Sequence, residues 1–213
     1  MMDEMDQIAF SASCQGYSHI EKQTPCQDAT FSQDYGDYSL AIVCDGHGGK
    51  DYIRSEFGSQ LAVEAFVETV KEFMQSREQF EPTLSVNYDM VLRQLEKSVI
   101  STWRGKITAD VEAKPFTQEE LDGISEKAQK KYEGGDYAGA YGTTLIGVVA
   151  TKDYWFGIHQ GDGKCIAISK EGVFSQPIPW DNRCYENITT SLCDNDAAKS
   201  FRHFFSTALP AAV

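Results

Sequence analysis

Apolar and polar positions fall in blocks along this chain, and the blocks predict strands on either side of a helical middle. Residues 38–44 form a near-continuous apolar run, the pattern of a strand covered on both faces. Ahead of it, residues 8–13 and 28–33 read as short strands with a polar loop between them. Behind it, Ile53, Phe57, Leu61, Phe66, Val70 and Phe73 recur at spacings of mostly four, one face of a long helix. Leu92, Leu95, Val99 and Trp103 mark a second helix over 89–103, with Glu81-Pro82-Thr83 as a turn before it.

Residues 105–137 are polar and hold no strong strand pattern. Within them, Thr117-Gln118-Glu119-Glu120 has the spacing of a capping box and predicts a helix reaching Tyr132, broken at Gly134-Gly135. Three strands are predicted next, over 143–150, 154–159 and 164–169. Tight turns at Thr151-Lys152-Asp153 and Gly161-Asp162-Gly163 would join them into an antiparallel meander. Asn195 or Asp196 is placed to cap a last helix carrying Phe201, Phe204 and Phe205. Two strand blocks separated by long helices describe an α+β layered domain, and the pattern leaves one mixed sheet and two stacked sheets both open.

Composition narrows the function classes. At 213 residues, 41% hydrophobic and 24% charged, the chain reads as a single domain, 1–213, with a real core. Its net charge of -13 argues against a nucleic-acid partner. That charge suits carboxylates gathered around a hard cation, although a solvated acidic surface accounts for most of it. No apolar stretch approaches the roughly 18 residues of a membrane span, so no membrane partner is expected. The acidic start, Met1 to Asp6, lacks the features of a signal peptide. Six cysteines without a C-x-x-C pair argue against zinc and for reduced thiols in a cytoplasmic protein.

The candidate chemistry sits where the apolar run ends, at Asp45-Gly46-His47-Gly48-Gly49. A carboxylate delivered by a buried strand is either exposed at the strand end or neutralised by a cation. Oxygen donors suit Mg²⁺ or Mn²⁺, and Gly46 leaves its carbonyl open to an ion because no Cβ intrudes. His47 has an ordinary pKa near neutrality, as a proton donor requires. The bland alternative is a strand-to-helix turn with Asp45 as a cap.

Residues 40–49 resemble the D-G-H-G-G signature of the metal-dependent type 2C Ser/Thr protein phosphatases (the PPM family), of bacterial type. Pro25-Cys26-Gln27-Asp28-Ala29 is similar to that family's first acidic motif, and Gly142-Thr143-Thr144 to its G-[ST]-T strand. The turn around Gly161-Asp162 is similar to its G-D-S-R turn, with Gly163 and Lys164 in place of Ser and Arg. Asp162 reads equally well as a hairpin-turn residue.

The resemblance implies a layered α-β-β-α sandwich of mostly antiparallel sheets flanked by helices. It implies hydrolysis of phosphate monoesters on Ser or Thr of phosphoproteins with two Mn²⁺ or Mg²⁺ ions. Asp28, Asp45, Gly46 and Asp162 would be metal ligands, Asp45 bridging, and His47 would be the general acid. Lys22 stands near the place of the family's phosphate-holding Arg, a point charge rather than a bidentate fork. His19, His159 and His203 lack a comparable context and are expected to be structural.

The family's last two acidic motifs, D-G and D-N, have no counterpart before Val213, and Asp194-Asn195 reads as a helix start. The expectation is therefore a domain with its C-terminal strands missing, weak or absent activity in this 213-residue form, and a bare sheet edge inviting self-association. The alternative is a non-catalytic phosphatase-fold module that binds or regulates partners.

Overall fold

The computed structural model describes residues 8–21 and 23–213. A short helix, α1 (Tyr17–Glu21), precedes two strands, β1 (Ala29–Asp34) and β2 (Tyr38–Cys44). Five helices follow: α2 (Ser55–Gln75), α3 (Arg77–Leu84), α4 (Tyr88–Ala113), α5 (Gln118–Asp122) and α6 (Glu126–Glu133). A 3₁₀ turn, Ala138–Tyr141, leads into β3 (Leu145–Thr151) and β4 (Trp155–Gln160). The remaining elements are β5 (Ala167–Ile168), β6 (Phe174–Ser175), α7 (Ala197–Ser200) and β7 (Arg202–Ser206).

The α+β layering read from the pattern is the architecture found. Five strands form an antiparallel sheet in the order β1-β2-β3-β4-β7. One face of that sheet presents Leu40, Ile42 and Cys44 of β2, Leu145 and Val149 of β3, and Phe156 and Ile158 of β4. These pack against Phe66 and Val70 of α2 and Leu92, Leu95, Val99 and Trp103 of α4. Two glycines let the layers close. A Cβ on Gly147 would collide with the Phe66 ring, and one on Gly58 would collide with the Tyr141 carbonyl. Trp103 then donates its indole N–H to the Gly58 carbonyl at 3.0 Å, which fixes α4 across α2. On the opposite face Ile146, Val148 and Phe204 meet Cys165 and Ile178, next to the ribbon of β5 and β6.

Several boundaries differ from the sequence reading, each for a physical reason. Residues 8–13 form no strand, since no neighbouring strand pairs with them. Residues 81–83 lie in α3 with Pro82 inside it; the buried Leu84 and the stacked rings of Phe73 and Phe80 hold that helix in place. The apolar stripe of α4 continues through Ile107 and Val111, so the helix runs on to Ala113. The stretch from Thr117 is two helices, because Ser125 caps a fresh start; the capping box of Thr117 and Glu120 is present as read.

The meander also ends earlier. Residues 164–169 contribute only β5, which pairs with β6, so Gly161-Asp162-Gly163 is not a hairpin between neighbours. Beside β4 lies β7, which carries Phe204 and Phe205 on opposite faces instead of in a helix. Phe204 packs on Trp155, and Phe205 on Tyr88 and Tyr154. Pairing with β4 decides the outcome over local propensity.

Arg54 ties the start of α2 to the end of α4 and to α5. It is buried, with Nε 2.8 Å from Glu120, Nη1 3.3 Å from Asp110 and 3.0 Å from the Tyr141 hydroxyl. Its guanidinium also lies 4.3 Å over the Phe116 ring. The hydrogen bond from Arg54 is the chief reason the Glu120 carboxyl is held down to about 2.

Removing one partner of a buried ion pair costs about 3–5 kcal/mol, so Arg54→Met is expected to lower unfolding free energy by roughly 3 kcal/mol in urea. A loss under about 1 kcal/mol, the worth of an exposed pair, would show the network to be decorative. The sign in pH follows from Glu120's depressed value. Its contribution is complete above the ordinary value of 4.5 and is lost as pH falls from there towards about 2. Arg54→Met should flatten that part of the acid-unfolding curve.

Candidate active site

The site is built on the register of β1 against β2. Ala29 pairs with Cys44, so Asp28 and Asp45 stand side by side one step beyond the paired strands. Asp45 is accessible to solvent, yet its pKa is pushed up to about 6. Partial desolvation is the largest cause, followed by the Asp28 charge, a hydrogen bond with Asp28, and Asp162. Two carboxylates this close share a proton in preference to ionising together.

Four staples hold the backbone at this point. The amide of Asp45 donates to the Thr144 hydroxyl at 3.1 Å. Its carbonyl accepts from the Thr144 amide at 2.9 Å and from the Thr143 hydroxyl at 3.0 Å. The Gly46 amide donates to the Gln27 carbonyl at 3.2 Å. Glycine is required at 46 because a Cβ there would lie 2.5 Å from the Gln27 carbonyl oxygen and 2.8 Å from that of Ser55. The carbonyl of Gly46 itself accepts no hydrogen bond among the described residues. The Gln27 amide donates to the His47 carbonyl at 3.0 Å and to the Ser55 hydroxyl at 2.6 Å, two bonds that a carboxylate at 27 would be unable to donate.

Asp28, Asp45 and Asp162 line one cleft of about 470 Å³, whose other walls include Cys14, Thr30, Val43, Thr144 and Ile146. Asp162 arrives on the turn after β4, where Gly161 takes a φ of +118°. Its carboxylate accepts from the Thr189 hydroxyl at 3.2 Å.

His47 stands apart from the walls of this cleft. Its ring lies edge-on to Tyr52, centroids 4.8 Å apart, in space left by Gly142, where a Cβ would come within 2.6 Å of both rings. Nε2 is 2.7 Å from the Ser191 hydroxyl. Burial lowers its pKa, against the opposing pull of Asp194 and Asp162. Lys22 lies outside the described residues. His203 is held between Asp89 at 3.1 Å and Glu96 at 2.8 Å, a structural place. His159 is buried beneath the Asp162 turn, its Nε2 without a partner among the described residues.

The donor set is all oxygen: two adjacent carboxylates, a third in the same cleft and a free carbonyl. That chemistry fits a hard divalent ion keeping much of its water. Among the described residues, no group of three or more His, Cys, Asp or Glu is close enough to share one ion. Sequence reasoning missed the staples of Thr143 and Thr144, although their motif stood out, and missed Ser191, which no local signal marks.

The sequence profile of the family described as Protein phosphatase 2C matches residues 15–211. No curated protein matches the chain. Among solved structures it is similar to PppA, a key regulatory component of T6SS in Pseudomonas aeruginosa. The identity is 14% and the TM-score 0.50, covering 87% of this chain and 66% of that one. It is similar also to the catalytic domain of the serine threonine protein phosphatase PstP in complex with two manganese ions, at 16% identity and TM-score 0.49, over 87% and 67% of the two chains. A third is the Mycobacterium tuberculosis serine/threonine phosphatase PstP/Ppp, at 20% identity and TM-score 0.43, over 74% and 49%. At such identities the PppA likeness speaks to fold alone. The chain spans about half to two thirds of the length of these structures.

The raised Asp45 value carries a sign. A carboxyl whose folded pKa lies above its ordinary 3.8 stabilises the fold at low pH and loses that contribution as pH rises through about 6. Asp45→Asn should therefore raise the melting temperature of metal-free protein at pH 7.5. After allowance for solvent screening the gain is about 1 kcal/mol, and it should vanish near pH 4. Equal melting temperatures at both pH values, in chelator, would show that Asp28 and Asp45 do not repel.

Proposed function

The chain belongs to the protein phosphatase 2C family, and from that premise we propose that it hydrolyses phosphate monoesters on Ser or Thr of phosphoproteins, using Mn²⁺ or Mg²⁺. The observation that carries this reading is the pair of carboxylates, Asp28 and Asp45, set side by side at the mouth of an acidic cleft. Asp28, Asp45 and the carbonyl of Gly46 would hold a cation, with Asp162 beside a further one, two ions in the complete set. A bound ion supplies Lewis acidity: it makes water a nucleophile near neutral pH and offsets charge on phosphoryl oxygens.

The chain's own residues do the rest. Thr143 and Thr144 fix the backbone of Asp45, which keeps its Cα beside that of Asp28. His47 gives a proton to the departing alkoxide. With only two carboxylates in direct contact, modest metal affinity and low turnover are proposed for this chain. The sparse ligand set also supports a second reading, a phosphatase-fold module that binds phosphoproteins without hydrolysing them.

All six cysteines are free, which accords with the proposed cytoplasmic setting. No helix among the described residues is long and apolar enough to cross a membrane. The outer edge of β7, last in the sheet, is proposed as a place for self-association.

Turnover of a phosphothreonine peptide in Mn²⁺ is the direct test. Hydrolysis that falls at least about 100-fold in Asp45→Ala supports catalysis, since loss of one transition-state contact costs on the order of 10²–10³. Peptide binding by calorimetry with no turnover and no Mn²⁺ uptake favours the binding module instead. Light scattering tests the β7 edge: a dimer that dissociates in Phe204→Lys is expected, and a monomer at every concentration refutes it.

A further inference from the structure

The His47 ring has a single side-chain hydrogen-bond partner among the described residues, the Ser191 hydroxyl 2.7 Å from Nε2. Ser191 is buried, at 2% exposure, and 144 positions away in sequence. Its oxygen also lies 3.0 Å from the Thr143 carbonyl, an acceptor to which the hydroxyl is placed to donate. The same oxygen accepts from the Cys193 amide at 3.3 Å. The serine amide is anchored on the Asp194 carboxylate at 2.8 Å, and the Leu192 amide on the Thr143 carbonyl at 3.0 Å. A serine hydroxyl has one proton to give. With that proton given to the Thr143 carbonyl, which can only accept, the oxygen would accept from the histidine and Nε2 would carry hydrogen. Nδ1 has no partner among the described residues and is not among their buried unpaired atoms, so it meets solvent.

We propose that Ser191 is a positioning residue that holds His47 with hydrogen on Nε2, leaving Nδ1 as the atom that hands its proton to the leaving alkoxide. The inference rests on the phosphatase reading for its reaction, and on the hydrogen-bond geometry for the tautomer. In the step, the Nδ1–H bond of the imidazolium breaks and its electron pair stays on Nδ1. An O–H bond forms on the departing Ser or Thr side chain. His47 ends neutral with hydrogen on Nε2, the form that Ser191 stabilises.

The same strap serves the other half of the site. Thr189 donates to Asp162 at 3.2 Å, and Thr190 takes the Gly161 amide at 3.2 Å while bonding Asp181 at 3.2 Å. Three consecutive hydroxyls thus link the Asp162 turn to the acid. Gly142 completes the seat, because any Cβ there would enter the His47 ring.

Nitrogen-15 spectra of the imidazole rings, in metal-free protein with His47 neutral, read the tautomer directly. The chain has four histidines, and a His47→Asn spectrum assigns the one in question. Wild type should show a protonated Nε2 and an unprotonated Nδ1. Ser191→Ala should give averaged shifts, and Ser191→Thr should restore the wild-type pattern. A wild-type His47 protonated on Nδ1, or a Ser191→Ala spectrum identical to wild type, overturns the proposal, and the wild-type measurement stands even where a variant fails to fold. With turnover measurable, Ser191→Ala should lower kcat on the order of 10-fold at nearly constant KM, with rescue by Thr. The spectra need no activity. An inactive chain with the Nε2–H tautomer defeats the phosphatase reading alone, and an active chain with the Nδ1–H tautomer defeats the positioning alone.

Discussion

Pairing Ala29 with Cys44 commits the chain to an unfavourable contact, because the next residues along the two strands are both aspartates. Sliding the register by one would separate them. It would also turn Leu40, Ile42 and Cys44 away from the helices and towards the thinly covered face of the sheet. Burial of those side chains is worth about 1.5–3 kcal/mol for each large one, more than a screened repulsion between exposed carboxylates recovers. The core therefore sets the charge geometry, and the Asp45 carboxyl is raised first by partial desolvation and then by the Asp28 charge.

Rigidity behind the aspartates comes from close backbone approach rather than from many side chains. Gly46 threads between the carbonyls of Gln27 and Ser55, Gly58 lies against Tyr141, and Gly142 makes room for His47 and Tyr52. Each contact joins segments distant in sequence, and each is lost if a methyl group intervenes. Arg54 acts at longer range. By holding Asp110, Glu120 and the Tyr141 hydroxyl together, it fixes the start of α2 directly downstream of the glycine loop. The loop is stiff because both of its ends are tied.

What the sequence disclosed follows from the range of the interactions involved. The strand over 38–44 and the helix beginning near residue 53 were legible because burial on a single element leaves a period that the residues themselves display. The grouping of Asp28, Asp45 and Asp162 came from motif order, and all three line one cleft. The rest depended on partners far away. Phe204 and Phe205 fit a helix or a strand equally well until β4 lies beside them. Residues 8–13 look like a strand, but no strand among the described residues pairs with them. Ser191 is invisible in sequence because its meaning lies wholly in His47 and Thr143, both remote from it. Gln27 is only one member of the Pro25–Ala29 motif in the sequence, yet in the fold its amide protons are what the loop uses.

The acidic balance of the whole chain, -13, bears on how an anionic substrate would arrive. A phosphate monoester near Asp28, Asp45 and Asp162 meets like charge on every side. Screened by solvent, each such repulsion costs about 1 kcal/mol or less. Three of them together cancel what a few hydrogen bonds of about 1 kcal/mol each would contribute. On the proposed reaction, a cation in place would tip that balance, and affinity for the anion would follow cation occupancy. On the proposed reaction the same logic would set the proton donor apart from the carboxylates. His47 is separated from the carboxylates by its seat on Tyr52 and Ser191, where burial lowers its pKa and eases loss of its proton. The strap from Thr189 to Ser191 touches both places, bonding Asp162 at one end and His47 at the other.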